Sequence, residues 1–386
     1  MPTIEEYSTD PYKALGLRPI INATCHHTRV GGTLIRDEVL DAMRAAAAHH
    51  VDMNRLQKAA GEIIARHTHA EAGLVVSGCA AAILAGTAAV LTGKDPVKMQ
   101  ELPHLDDMKN EVIAERFPRR TTDNGAEYIH YGYAHAVKTT GIQFVEVGDG
   151  SVTTPEELDA AFTPDTAMVY WGTGETGGNL RVEEVVEIAD RHDVPVLVDN
   201  SNSLPPKRHL WRYIDAGAAL VTFSGGKGIR GPQGSGILAG RADLIEAAAM
   251  QSAPTQGIAR VAKVSKEEVV GLVTALEMYA AEDEETLLTD QRARADILFG
   301  RLDGIANASV ELLDPDHRGR LYPTVWLTVG PETGMTAAQV LEKLENGDPS
   351  IAAMSHSDPQ IVRLDVRLCE EWEIDAVATR LHEILG

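Results

Sequence analysis

Lys227 stands in the loop Ser224-Gly225-Gly226-Lys227-Gly228, and Asp199 closes the apolar run Val196-Leu197-Val198 ahead of it. A lysine amine on such a loop can form a Schiff base with an aldehyde. A carboxylate at a strand end can keep an aromatic ring nitrogen protonated. Together these two groups supply what pyridoxal 5'-phosphate requires of a protein, because the protonated ring can then accept electrons from a substrate carbanion. Gly225, Gly226 and Gly228 are expected to let the backbone turn tightly and to leave room for a bulky cofactor.

These residues need elements that bring them together. Met168-Val169-Tyr170-Trp171, Val194 to Val198, Leu220 to Phe223 and Gly236 to Ala239 read as strands, and Val182, Val185, Val186 and Ala189 mark the apolar face of a helix. Strands separated by helical segments imply crossover connections and a mostly parallel sheet covered on both faces. Ligands of such sheets lie beyond the carboxyl ends of the strands. Asp199 and Lys227 both follow strands in that way and should face one crevice. A cofactor phosphate needs backbone N–H donors at a helix start. Ser77-Gly78-Cys79-Ala80 opens a helix rich in small residues and fits that need, with the Ser224 hydroxyl as a further donor. An aromatic or imidazole ring should cover the face of the pyridine ring; Tyr131, Tyr133 and His135 are candidates, with His135 preferred.

Composition sets limits on the rest. The chain has 386 residues, and its 35 basic against 57 acidic residues give a net charge of −22. That balance repels nucleic-acid backbones and acidic membranes, and no run of Lys or Arg offsets it, so no nucleic-acid partner is expected. Cys25, Cys79 and Cys369 are scattered and form no C-x-x-C pair, which argues against a disulfide framework and a structural zinc site. His26-His27 and His49-His50 are adjacent pairs whose side chains diverge, so no metal is expected. No charged residue occurs from Ala72 to Thr92, but the Ser77-Gly78 break divides this stretch into a strand and a helix rather than a membrane span. Residues 1 to 10 are polar and acidic, with no apolar run for export, so a cytoplasmic location is expected. After about Met250 the pattern becomes a smaller α+β unit. The expected division is an N-terminal arm with the first helix (1–45), a large domain (46–255) and a small C-terminal domain (256–386).

The segment Ser-Gly-Gly-Lys-Gly-Ile-Arg-Gly-Pro-Gln-Gly-Ser-Gly (224 to 236) resembles the lysine motif of the selenocysteine synthase-like group of fold-type I pyridoxal-phosphate enzymes. It is most similar to the branch that contains D-glucosaminate-6-phosphate ammonia lyase. Ile20-Ile21-Asn22-Ala23, Val51-Asp52-Met53, Lys109-Asn110-Glu111-Val112 and Lys266 to Leu272 are similar to the same branch, so the resemblance spans the chain from about residue 11. It implies the fold-type I architecture, Lys227 as the Schiff-base lysine, Asp199 as the partner of the ring nitrogen, and Gly78 and Cys79 in the phosphate cup. It also implies at least a homodimer. Two segments depart from the family pattern: Asp199-Asn200-Ser201 in place of Asp-Ala-Ala, and Cys25-His26-His27-Thr28 in place of a glycine-rich start. Both put more polar groups on the side that the resemblance assigns to the substrate.

Amino-acid substrates carry a carboxylate, whose usual partner is an arginine fork. Arg367, in a segment similar to the family's Asp-Leu-Arg-Thr-Leu, is one candidate; Arg230, Asn22 and Arg29 are others on the substrate side. The resemblance points to a lyase that eliminates the β-hydroxyl of a hydroxylated amino acid or amino-sugar acid, giving a 2-keto acid and ammonia. Transamination and racemisation share the same carbanion and stay open. A catalytically silent ligand-binding relative is the different-class alternative, and retention of both Lys227 and Asp199 speaks against it.

Overall fold

Short runs of β-branched and aliphatic residues build a seven-stranded sheet in the computed structural model, which describes residues 3–122, 124–172, 180–316 and 319–386. In chain order its strands are β1 (Ala72–Val76), β2 (Glu111–Glu115), β3 (Gln143–Val147), β4 (Thr166–Gly172), β5 (Val196–Asp199), β6 (Leu220–Ser224) and β7 (Gly236–Gly240). Across the sheet the order is β1-β7-β6-β5-β4-β2-β3. The pairs β2/β3, β2/β4, β4/β5 and β5/β6 are parallel, whereas β7 runs antiparallel to both β1 and β6. The reversal has a simple cause. A parallel return needs a crossover of a dozen or more residues, and residues 225–235 between β6 and β7 contain no helix. The lysine loop is therefore the connection of an antiparallel pair.

Helix Gly78–Thr92 lies against one face of this sheet and is buried along most of its length. Its Ala81, Ala82, Ile83, Leu84, Ala85 and Ala89 pack with Met168, Tyr170, Leu197, Leu220 and Leu238 in one core cluster. Each fully buried Leu or Ile in that layer contributes roughly 1.5–3 kcal/mol. Side chains alternate along a strand, so Asp199 shares its face with Leu197, and Thr222 shares its face with Leu220. Among the described residues, no helix is long and apolar enough to cross a membrane.

The chain divides into two compact units, Leu34–Glu282 and Met1–Thr33 with Asp283–Gly386. This differs from the boundaries at 45 and 255. Helix Lys266–Ala281 packs against helices Asp37–Ala47 and Met53–Thr68, which keeps all three in the larger unit. The smaller unit holds a four-stranded antiparallel sheet, β8 (Ala308–Leu313), β9 (Thr324–Val329), β10 (Met354–Ser355) and β11 (Ile361–Leu364), in the order β8-β9-β11-β10. The N-terminal segment belongs to that unit because Ile20–Asn22 pairs in parallel with Ser350–Ala352.

Candidate active site

Asp199 ends β5 opposite Thr222 of β6 and Gly172 of β4. Its Oδ2 accepts a hydrogen bond from the Tyr170 hydroxyl at 2.9 Å, and its Oδ1 accepts from the Ser201 N–H at 3.1 Å. Cys79 Sγ, from the first turn of helix Gly78–Thr92, lies 3.0 Å from Thr222 Oγ1 and 3.8 Å from Asp199 Oδ1. Burial, and after it the negative charge of Asp199, pushes both the Cys79 thiol and the Tyr170 phenol well above their usual ranges. Both groups are therefore neutral at physiological pH.

The first backbone N–H groups of a helix have no partner inside it. Ser77 is the N-cap of helix Gly78–Thr92, yet its side chain makes no capping bond, and Gly78 takes the left-handed φ of +82°. The helix start is thus open to an anion. Gly236 pairs in register with Val76 on one side and Ser224 on the other, which puts Ser77 and Ser224 on either flank of the start of β7. A Cβ on Gly236 would stand 2.6 Å from the Gly78 carbonyl carbon and 2.8 Å from the Cys79 nitrogen. Only glycine allows that approach.

Lys227 follows β6 in a loop closed by bonds from Gly225 N to Ser235 O, Gly231 N to Gly225 O and Arg230 N to Lys227 O, all within 2.9 Å. The left-handed residue of this loop is Arg230 (φ +60°), not one of the glycines beside Lys227. Those glycines serve close packing instead of the turn: a Cβ on Gly226 would meet Gln233, and one on Gly228 would meet the Leu204 carbonyl. Lys227 Nζ lies 5.7 Å from the centroid of the Tyr133 ring. His135, the ring preferred from sequence, is exposed and packs edge-on against Tyr131. The 3₁₀ turn Gly132–Ala134 presents alternate residues in different directions, and Tyr133 is the ring it brings to the lysine.

An open helix start, a charged carboxylate and a nearby lysine fit a ligand with a phosphate, a basic ring nitrogen and an aldehyde, which is pyridoxal phosphate. Asp199 Oδ2 accepts one bond and has capacity for a second, so it can also receive the proton of a ring nitrogen. Sequence reasoning misses Tyr170 and Thr222, because both read as strand core. A signal is present nonetheless: a tyrosine two residues before a strand end shares its face with the functional end of the neighbouring strand.

Two substrate-side candidates have other employment in the smaller unit. Asn22 Nδ2 donates to Cys25 O at 2.8 Å and Gly32 O at 3.1 Å, while its Oδ1 accepts from Thr24 N at 3.0 Å and Thr24 Oγ1 at 2.6 Å. An asparagine amide has two donors and two acceptor sites, so none is left for a substrate. In this structure Asn22 organises the following loop. Arg367 is buried, with Nε and Nη2 each 2.8 Å from the Asp365 carboxylate and its guanidinium 3.7 Å from the Tyr322 ring centroid. Its fork is filled by Asp365, and Nη1 is the terminal nitrogen that Asp365 does not engage. Arg230 is half-buried, three residues after Lys227. Arg29 pairs with Glu345 at 2.8 Å.

The Aminotransferase class-V family matches residues 129–310. The chain is 35% identical to a 5'-C-glycyluridine monooxygenase-decarboxylase of Streptomyces sp, over 98% of this chain and 92% of that protein. It is 30% identical to a D-glucosaminate-6-phosphate ammonia lyase of Salmonella typhimurium, over 97% of each. A solved structure of D-glucosaminate-6-phosphate ammonia-lyase superposes with a TM-score of 0.80 at 29% identity, covering 98% of both chains.

Proposed function

The chain belongs to the class-V aminotransferase family, alongside D-glucosaminate-6-phosphate ammonia lyase and the selenocysteine synthase-like proteins, and on that footing we propose that it is a pyridoxal-phosphate-dependent lyase releasing ammonia from a hydroxylated amino acid or amino-sugar acid. The observation that carries this reading is the convergence of Asp199, Lys227 and the open start of helix Gly78–Thr92 at the carboxyl ends of the strands. When bound, pyridoxal phosphate supplies an electron sink for negative charge at the substrate Cα.

The chain's own groups then divide the work. The N–H groups of Gly78 and Cys79, flanked by Ser77 and Ser224, hold the phosphate. Asp199 holds the proton on the ring nitrogen. Tyr133 bounds the space beside Lys227. Lys227 Nζ, in its neutral form, removes the proton from the substrate Cα and can return it. Loss of the β-hydroxyl as water, followed by uptake of one water, gives a 2-keto acid and ammonia with no net change in water. Arg230, three residues after Lys227, is the arginine of this loop and would meet an anionic substrate group.

A second reading rests on the relative of higher identity, named as a monooxygenase-decarboxylase. The same proton removal would there precede reaction with dioxygen and loss of carbon dioxide. The assay is direct: the holoenzyme is given a panel of 3-hydroxy-2-amino acids and amino-sugar acids while ammonia, keto acid, oxygen uptake and carbon dioxide are followed. Ammonia with keto acid and no oxygen uptake supports the lyase; oxygen uptake with carbon dioxide replaces it with the second reading. The reading also includes a cytoplasmic location and a homodimer or larger homo-oligomer. Tyr12, Leu15 and Leu17 expose apolar surface near the N-terminus, which supports self-association and is checked by light scattering.

A further inference from the structure

We propose that Tyr170 is a positioning residue that fixes the Asp199 carboxylate in one orientation and stabilises its negative charge, so that the apoenzyme is already shaped to receive the ring nitrogen of the cofactor. The inference rests on the assignment of Asp199 to that nitrogen. Three observations carry it.

The first is geometric. Tyr170 and Asp199 come from adjacent parallel strands, β4 and β5, with Tyr170 in register with Leu197 and Gly172 with Asp199. The phenol reaches diagonally toward the carboxyl end of the sheet and donates to Oδ2 at 2.9 Å. The second is rigidity. Tyr170 is 8% exposed and packed among Ala114, Met168 and helix Gly78–Thr92, so its hydroxyl has little freedom to move elsewhere. The third is the division of acceptor sites. The Ser201 N–H binds Oδ1, with Cys79 Sγ near the same atom, and the phenol binds Oδ2. Two donors on different oxygens lock the carboxylate plane against rotation about its Cβ–Cγ bond, and leave the open acceptor site on Oδ2. Burial keeps the phenol protonated, so it is a permanent donor. A hydrogen bond donated to a carboxylate favours its charged form. Oriented in advance, the carboxylate loses less freedom when the cofactor binds.

The experiment titrates apoenzyme with pyridoxal phosphate across pH for wild type, Tyr170→Phe and Asp199→Asn, reading the visible band of the bound cofactor. Tyr170→Phe keeps the ring that fills the core and removes one charge-assisted hydrogen bond. The expected Kd rises about tenfold, the acid limb of the affinity profile moves to higher pH, and the melting temperature of the apoenzyme changes little. Should the phenylalanine variant fail to fold, 3-fluorotyrosine at position 170 alone carries the test. It is a stronger donor of the same shape and should move the acid limb the opposite way. Asp199→Asn should weaken binding more than Tyr170→Phe. If Asp199→Asn weakens binding while the changes at Tyr170 leave affinity and pH profile as in wild type, the role of Tyr170 is overturned and the assignment of Asp199 stands. If Asp199→Asn also leaves both unchanged, the assignment of Asp199 falls and the proposal with it.

Discussion

The side chain of Gln57 takes the place of a neighbouring strand for Val75: its Nε2 donates to the Val75 carbonyl at 2.8 Å, and its Oε1 accepts from the Val75 N–H at 3.1 Å. Val75 lies on β1, the edge of the sheet, and three residues later begins the helix proposed to hold the phosphate. One amide thus closes an otherwise unpaired, buried edge beside the site. Gln57→Ala leaves both backbone groups without a protein partner. A loss of roughly 1–3 kcal/mol is expected, read as a lower urea midpoint at unchanged slope. An unchanged midpoint would mean that water serves the edge equally well.

Gly236→Ala probes the cup from behind. The added Cβ meets the backbone of Gly78 and Cys79 rather than a flexible side chain, so the helix start has to shift. Affinity for pyridoxal phosphate should fall at least about tenfold, with a smaller loss in thermal stability. Calorimetric titration of the apoenzyme measures the first, and a melting curve the second.

Lys227→Ala removes the amine proposed to link the cofactor covalently. The purified variant should lose the lysine-linked visible band and the ammonia-releasing activity together. A variant that kept the band would place the linkage on another lysine.

Glu115 ends β2 with its Oε1 buried and without a hydrogen-bond partner among the described residues, and burial pushes its carboxyl from 4.5 up to about 7. A carboxyl raised in the folded state keeps a proton that the unfolded chain has already lost. Stability therefore falls as pH rises from about 4.5 to about 7, and the full penalty is present above that window. Glu115→Gln should stabilise the protein by roughly 1–3 kcal/mol at pH 8 and by little at pH 4.5. Melting curves at the two pH values decide it; an equal gain at both would point to packing instead of charge.

Asp365 and Arg367 form a pair that is almost wholly withdrawn from solvent. Burial alone would raise the Asp365 carboxyl, and the adjacent guanidinium outweighs it, holding that carboxyl below its usual value. Asp365→Ala leaves a buried guanidinium without its counter-charge, which should cost about 3–5 kcal/mol with no substrate or cofactor present. A stability loss below about 1 kcal/mol would instead favour an Arg367 fork free to turn toward a substrate.

The placement of Lys227 and Asp199 after strands is legible in the residues alone because it is local. Each follows an apolar run that can only be a buried strand, and a parallel sheet puts all such strand ends on one edge. The break at Ser77-Gly78 is legible for the same reason, as β-type residues give way to a run of small helix formers. By contrast, the direction of β7 depends on how far the chain can travel in the loop 225–235, which residue types alone do not state.

What the sequence determined by itself was therefore the residue chemistry and the elements that carry it: a lysine on a glycine-rich loop, an aspartate at a strand end, a helix start and the alternating α/β order. What only the tertiary structure decided was which side chains still have capacity to act. Asn22 and Arg367 have the right chemistry, but Cys25, Gly32 and Thr24 take up the Asn22 amide, and Asp365 takes Nε and Nη2 of Arg367 while leaving Nη1. Tyr170, an ordinary strand residue in sequence, becomes a partner of Asp199 because two strands pair in one register. Hydrogen-bonding capacity is finite and short-ranged, and its partners are assigned by the fold rather than by neighbours along the chain.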